Sequence, residues 1–341
     1  MSSITITQVA QRAGVSMKTV SRVLNAEPHV REEVRERVLQ AAKELRYRPK
    51  ISARSLAGAR SFVVGYLLLD PSIPYTGRAQ LGALTACRRA GYHLLVESVD
   101  LASPDLMVEL DRMLGAIDVD GVLLTPPHCD HPGVLEALDA AGVPYARIAP
   151  ATDPDRSARV EADDRGAAEA MTRHLLGLGH RRIGFVMGPP GHSAAQGRLD
   201  GFREAMKEAG LVADEALMRP GQFHYPSGLE AGRSLLGLRS PPTAIFASSD
   251  LMAMGVAAAA HELGLSIPKD VSVAGFDDNP SAAMMWPSLT TVRQPISEMA
   301  AAATQMLIDA ASRTPDPQAI DHRTFHCELV IRASTAPPKP E

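Results

Sequence analysis

Long apolar runs are missing from this chain of 341 residues. No stretch approaches the roughly 18 uninterrupted apolar residues of a membrane-spanning helix, and no basic segment followed by an apolar h-region opens the sequence. A cytoplasmic protein is expected. Cysteine is scarce as well: Cys87, Cys129 and Cys327 are an odd set without CxxC spacing, which argues against a disulfide framework and a compact zinc site. The three are read as reduced thiols. There is no G-x-S-x-G elbow, HExxH or P-loop, so no catalytic machinery is visible, and neither enzyme activity nor a cofactor is expected. Short-period repeats, heptads and low-complexity tracts are also absent, which removes solenoids and coiled coils.

What is present is a hydrophobic content of 45%, enough to bury a sizeable core in a small domain beside a larger one. Charge divides the chain in the same way. Residues 1–60 hold 12 Lys/Arg against 5 Asp/Glu, while the remainder holds 23 against 34, so a head of +7 sits on a body of −11. A basic head suits a polyanionic partner, because each phosphate neutralised by Lys or Arg releases condensed counterions. A solvated charged face would carry the same excess, so charge alone does not decide.

Residues 5–47 read as a short all-helical unit broken at Gly14 and between Asn25 and Pro28. From Phe62 the pattern changes. Short β-branched or apolar runs (62–69, 92–96, 121–125, 182–187, 243–247, 271–276) alternate with amphipathic stretches (80–90, 105–114, 165–178, 198–209, 251–263). That alternation predicts βαβ units in an α/β body of doubly wound parallel sheets. The Pro-rich end, 336–341, is expected to be a disordered tail.

The head carries the sharper signal. Val9, Ala10 and Ala13 place an apolar stripe on a first helix, Gly14 permits a sharp turn, and Ser16 is a strong N-cap. Val20, Val23 and Leu24 face inward from a second helix, leaving Met17, Lys18, Ser21 and Arg22 outward. The pattern predicts a helix-turn-helix, whose second helix would approach base edges in the major groove of DNA by its first turn. Arg22 and Lys18 can reach guanine O6 and N7, and Met17 can pack on a thymine methyl. A third helix, Arg31 to Leu45, closes the small core through Val34, Val38, Ala41, Ala42 and Leu45.

In the body, ligands of doubly wound sheets sit at the carboxyl ends of strands. The polar candidates there are Asp70 to Tyr75, Thr125 to His128, Gly188 to Arg198, Phe223 to Tyr225, Ser248 to Asp250 and Asp277 to Asn279. Carboxylates, one Arg, hydroxyls and aromatic rings together suit a polyhydroxylated ligand. A single Asp at a strand end is more often a helix N-cap than a ligand contact, so the collection carries the expectation.

The strings 9–16 (VAQRAGVS) and 19–25 (TVSRVLN) resemble those of the lactose-repressor/galactose-repressor family, and the resemblance extends from Thr5 to about Leu329. It implies a DNA-binding set of Thr7, Ser16, Met17, Lys18, Thr19, Ser21, Arg22 and Asn25. Tyr47-Arg-Pro49 and Ala53-Arg-Ser-Leu-Ala57 look like the family's hinge, which adds Arg54 and makes Leu56 the wedge that enters the minor groove. Arg31 stands where the family usually has a serine cap. In the body, 193–202 (SAAQGRLDGF) resembles an effector-loop motif with Arg198 as the ligand clamp. Residues 244–255 and 273–278 resemble two strand-end motifs that nominate Ser249, Asp250 and Asp277, and Phe223 takes the place of a common aromatic. With Asp70, Tyr75 and Thr125 these form the expected effector site. Ser249 stands where Asn is usual, and Ala149 where an acid is common; Arg147 is expected to compensate, favouring a more acidic or differently oriented ligand.

The resemblance also implies an organisation: a headpiece at 1–47, a hinge at 48–60, and a core at 61–335. The core has periplasmic-binding-protein-like lobes at roughly 61–160 plus 293–323 and 161–292 plus 324–335, with 289–295 as a return crossover. Residues 177–184 resemble a nucleotide-binding glycine loop but precede a strand, so a helix C-cap is expected. His128-Cys-Asp-His131 lacks metal-site spacing, and no metal is expected. The reading is a DNA-binding regulator, expected to be a repressor, working as a homodimer on a pseudo-palindromic operator and controlled by a small effector, with a carbohydrate first. The alternative is a solute-binding protein of the same core fold.

Overall fold

The computed structural model describes residues 4–24, 30–47, 60–312 and 321–340, in two compact units, Met1–Phe62 and Val63–Glu341. In the first unit, α1 (Ile6–Ala13) and α2 (Met17–Leu24) precede α3 (Glu32–Glu44). Gly14 ends α1 with φ +66°, a left-handed conformation that glycine adopts without steric cost. Ser16 opens α2 by accepting the Thr19 N–H at 3.1 Å. Val9, Val20, Val23 and Val38 are fully or almost fully buried and form the small core with alanines of α1 and α3. α3 has no side-chain cap at Arg31, but Glu32 and Glu33 occupy its first turn, where negative charge opposes the helix dipole favourably.

The second unit is an α/β core of two lobes. The first-lobe strands are β1 (Val63–Leu68), β2 (His93–Ser98), β3 (Gly121–Leu124), β4 (Tyr145–Ile148) and β5 (Ala158–Ala162). The second lobe holds β6 (Ile183–Val186), β7 (Met218–Arg219), β8 (Ala244–Ala247) and β9 (Ser272–Ala274). Three short strands follow, β10 (Thr291–Arg293), β11 (His322–Phe325) and β12 (Glu328–Val330). The first sheet has the order β11-β5-β4-β3-β1-β2 and the second β7-β6-β8-β9; every pairing in both is parallel. β10 and β12 pair antiparallel. Parallel neighbours require crossover helices, which cover both faces of each sheet and explain strands buried along their whole length, such as β3, β6 and β8.

Within each lobe, helices pack through glycine at close approaches. A Cβ on Gly82 would lie 2.0 Å from the Ser297 carbonyl oxygen, so helix Pro74–Ala90 lies directly against helix Ile296–Ser312. Likewise, a Cβ on Gly201 would meet the Arg165 carbonyl oxygen at 2.2 Å, which seats helix Ser193–Glu208 on helix Asp164–Gly177.

Two expectations are corrected. The last crossing between lobes follows Phe325 rather than 323, because β11 pairs with β5 of the first lobe. The tail is not loose through residue 340. Ala336 donates its N–H to Ser272 Oγ at 3.0 Å, its carbonyl accepts from His180 Nε2 at 2.9 Å, and Lys339 pairs with Asp270. Proline prevents regular structure there, but it does not prevent anchoring by polar groups distant in sequence.

Candidate functional site

In the head, Thr7, Ser16, Met17 and Lys18 are exposed, and Thr19, Ser21 and Arg22 are half-exposed, while Val20 and Val23 of the same helix are buried. Met17 keeps 52% of its surface open, leaving its apolar thioether at the first turn of α2. The Thr7 hydroxyl donates to its sulfur at 3.3 Å, which links α1 to that turn. Hydroxyl, thioether and cationic groups thus share one face, the mix needed to contact phosphates and base edges together. Asn25, Arg54 and Leu56, with the hinge segment 48–59, lie outside the described residues.

In the core, a cavity of about 400 Å³ lies between the lobes. Of the expected effector residues, Tyr75, Thr125, Arg198, Phe223 and Asp277 line it. Arg198, on helix Ser193–Glu208, is its centre. Nε donates to Asp164 Oδ1 at 2.8 Å, Nη1 donates to the Ser248 carbonyl at 2.5 Å, and Asp277 Oδ1 stands 3.7 Å away. The guanidinium carbon lies 3.7 Å from the Phe276 ring centroid and 5.5 Å from that of Phe223. Phe223 takes φ +56° and leans over Gly188, where a Cβ would come within 2.4 Å of its ring. Glycine at 188 is therefore what admits the aromatic ring.

Asp277 and Asp278 both have positive φ, +112° and +51°, strain of about 1–3 kcal/mol per residue. The turn is held from both sides. The Asp277 N–H donates to the Val292 carbonyl at 2.8 Å, and the Asp278 carboxylate accepts from Arg293 and Arg332. From the first lobe, Arg78 Nη1 donates to the Asp277 carbonyl at 2.7 Å, and Nη2 donates to the Gln294 carbonyl at 2.8 Å. Arg78 was not among the expected residues, since nothing local in the sequence shows that helix Pro74–Ala90 reaches this turn.

Four expected contacts are not brought to the cavity lining. Asp70 faces outward and accepts the Ser72 N–H at 2.8 Å. Ser249 caps helix Asp250–Glu262 by accepting the Met252 N–H. Asp250 is completely buried and accepts from Asn279 N at 2.7 Å and Thr291 Oγ1 at 2.5 Å. Arg147 is also fully buried. It donates to Ser157 Oγ at 2.9 Å, to the Thr152 carbonyl at 2.9 Å and to the Asp153 carbonyl, so its guanidinium ties down the loop behind Ala149 instead of facing a ligand. The His128–His131 string has structural partners too: His128 Nε2 donates to the Val99 carbonyl at 2.8 Å, and Asp130 accepts from Ala151 N and Thr152 N.

The cavity adds residues that sequence reasoning missed. Asp164 follows β5, whose alternating charges, Arg159 and Glu161, hid it as a strand. Asp163 takes the cap of the next helix, accepting the Gly166 N–H at 2.9 Å, and leaves Asp164 to turn inward. Gln294 Nε2 donates to Asp164 Oδ1 at 3.0 Å. A carboxylate only accepts, which fixes the amide orientation. His192, within the expected 188–198 stretch, also lines the cavity and meets Phe223 edge-on with centroids 5.7 Å apart.

Burial pushes Asp277 up to about 6, against the pull of Arg198. It raises Asp164 as well, opposed by Arg198 and Gln294. Asp250 is held well above the carboxylate range by burial and then by the charge of Asp277. Burial draws Arg198 down, but Asp164 and Asp277 more than offset this, so it stays charged. Burial likewise lowers His192. The arrangement offers a cation, carboxylates and an aromatic ring together, a set able to bind hydroxyls.

Residues 5–50 match the family described as bacterial regulatory proteins, lacI family, and residues 172–335 match the periplasmic binding protein-like domain. The HTH-type transcriptional regulator DegA of Bacillus subtilis (strain 168) is 34% identical over 336 residues, covering 98% of each chain. The structure of a transcriptional regulator CelR–cellobiose complex is 33% identical, with a TM-score of 0.74 over 97% of this chain and 99% of that one. The lac repressor dimer bound to operator and the anti-inducer ONPF is 26% identical, with a TM-score of 0.78 over 98% of this chain and all of that one (100%). No helix among the described residues is long and apolar enough to cross a membrane.

Proposed function

The chain belongs to the lacI family of bacterial regulatory proteins, and from that premise we propose a transcriptional repressor whose cavity binds a sugar that controls its affinity for operator DNA. It is a sequence-specific DNA-binding regulator and not an enzyme. Two heads on a two-fold axis read a pseudo-palindromic operator, which makes the working unit a homodimer. DNA is its site of action, which places it in the cytoplasm. Ser16, Met17, Lys18 and Arg22 act at the groove, with Thr7, Thr19 and Ser21 beside them. Leu56 and Arg54 of the hinge read the operator centre.

The observation that carries this reading is the outward face of α2, where exposed Met17 and Lys18 lie beside half-exposed Arg22 on a helix otherwise packed by Val20 and Val23. In the core, Arg198, Asp164, Asp277 and Phe223 suit a sugar: charged groups bridge hydroxyls and the ring covers an apolar face. A ligand that prefers one closure of the lobes shifts DNA affinity by no more than its differential binding energy. A solute-binding protein of this fold would have no use for the basic head, and that alternative is set aside.

Selection of the full chain against random duplex oligonucleotides, with and without a mixture of sugars, tests the reading. Enrichment of a pseudo-palindrome in at least one condition is expected; recovery of unrelated sequences in both would overturn it.

A further inference from the structure

The turn that carries Asp277 is held from two sides, and each side holds different atoms. From the second lobe, the Asp277 N–H donates to the Val292 carbonyl, and the Asp278 carboxylate accepts from Arg293 and Arg332. Its two carbonyls are held from the first lobe, where Arg78 Nη1 donates to that of Asp277 at 2.7 Å and to that of Asp278 at 3.4 Å. Two consecutive residues with positive φ persist only where the surroundings over-determine them. If the turn relaxes, the Asp277 carboxylate, 3.7 Å from the Arg198 guanidinium, moves with it.

Arg78 is not part of the cavity lining. Its other amino group, Nη2, donates to the Gln294 carbonyl at 2.8 Å. The Gln294 side chain in turn donates to Asp164 Oδ1 at 3.0 Å, the oxygen that also holds Arg198 Nε at 2.8 Å. One planar guanidinium therefore ties the backbone of Asp277 to the residue that braces Asp164, and so sets the distance between the two carboxylates on either side of Arg198. The helix that presents it is fixed at this point. Ser297 Oγ donates to the Arg78 carbonyl at 3.0 Å, and Gly82, one turn on, lies directly against the Ser297 backbone. Tyr75, three residues before Arg78 and on the same helix face, lines the cavity. The charge of Arg78 reaches the site too: burial raises the Asp277 carboxyl, and Arg198 and then Arg78 draw it back.

Resting on the effector-binding reading above, we infer that Arg78 is a positioning residue of the effector site, holding Asp277 at the spacing that Arg198 bridges without itself touching the ligand. A first-lobe helix thereby sets a carboxylate of the second lobe. A ligand hydroxyl gains most from Asp277 when that carboxylate is already in place, because ordering a loose turn on binding costs affinity. Lysine at 78 keeps the charge, but a single ammonium cannot span the Asp277 and Gln294 carbonyls as a planar fork does.

The test titrates the full chain and its variants by calorimetry with glucose, galactose, mannose, xylose, maltose and cellobiose, well below the melting temperature of each variant, so that lost stability does not enter. For any sugar that the unaltered chain binds, Arg78→Ala is expected to weaken binding at least about fivefold, and Arg78→Lys by a smaller factor. In a chain that already carries Asp277→Ala, the same Arg78→Ala change should weaken it by less than about twofold, because the carboxylate it positions is gone. A second readout needs no such background. Arg78→Lys keeps the charge, so an upward move of the pH midpoint at which sugar affinity follows Asp277 reports a carboxylate that has drifted from Arg198; that move is expected. Undiminished binding by Arg78→Ala, equal losses with and without the Asp277 side chain, or an unmoved midpoint in Arg78→Lys overturns the inference and leaves the sugar reading standing. Silence from every sugar in the unaltered chain overturns both.

Discussion

Arg78→Ala removes the one described side chain of helix Pro74–Ala90 seen to donate to both the strained turn and the crossover. Two short bonds are lost, to the Asp277 and Gln294 carbonyls at 2.7 and 2.8 Å, and a longer one to the Asp278 carbonyl at 3.4 Å. Hydrogen bonds from a charged donor contribute about 1.5–3 kcal/mol each. Arg78 is half-buried, so water replaces part of that, and relaxation of the positive-φ turn returns some strain. A net loss of about 2–3 kcal/mol is expected. Urea unfolding of the full chain reads the total, and hydrogen exchange reads where it falls. Amides of 276–279 and 292–295 should lose protection, including Asp277 N–H, which is bonded to the Val292 carbonyl. Arg78→Lys should recover only part of the loss, because one ammonium cannot span the two carbonyls as a planar fork does. Unchanged exchange in both segments, or a stability change under about 0.5 kcal/mol, would refute the reasoning.

Three further outcomes are expected. Arg22→Ala should cost about 1–3 kcal/mol on the selected operator and much less on scrambled DNA; equal losses on both in competition gel shifts would remove it from base reading. Arg147→Ala should destabilise the core by at least about 3 kcal/mol, since a buried arginine leaves several carbonyls without a partner; a variant with unaltered melting but weakened sugar binding would restore it to the cavity. Asp277 has its folded value raised by burial to about 6. Stability from this group is therefore fully present below pH 4 and lost as pH rises through 6. Asp277→Asn should remove that loss, worth about 3 kcal/mol at most, and flatten the dependence of melting temperature on pH between 4 and 7.

Much of the architecture was legible because buried parallel strands write themselves as apolar runs. Val63–Leu68 and Ala244–Ala247 could hardly be anything else. β4 and β5 were not visible, since Arg147, Arg159 and Glu161 interrupt them: Arg147 finds its partners only through loop closure, while Arg159 and Glu161 pair with each other along β5. The same limit divided the site residues. Arg198, Phe223 and Asp277 lie in motifs that point inward, whereas Asp250 and Ser249 lie in equally good motifs and serve backbone groups. Neighbouring aspartates 163 and 164 show why: identical residues, one a cap and one a ligand for Arg198, with no local feature to tell them apart.

The first sheet takes its edge strand, His322–Phe325, from a point 160 residues beyond its other neighbour's end at Ala162. On a ribosome adding about 5–20 residues per second, that edge emerges on the order of 10–30 s after the rest of the sheet. Helix Ile296–Ser312, whose Leu307 sits against Gly121 of β3, is just as late. Through that interval the nascent first lobe stays open along one side while the second lobe is being translated. The final stretch of synthesis therefore completes the half of the core that began first.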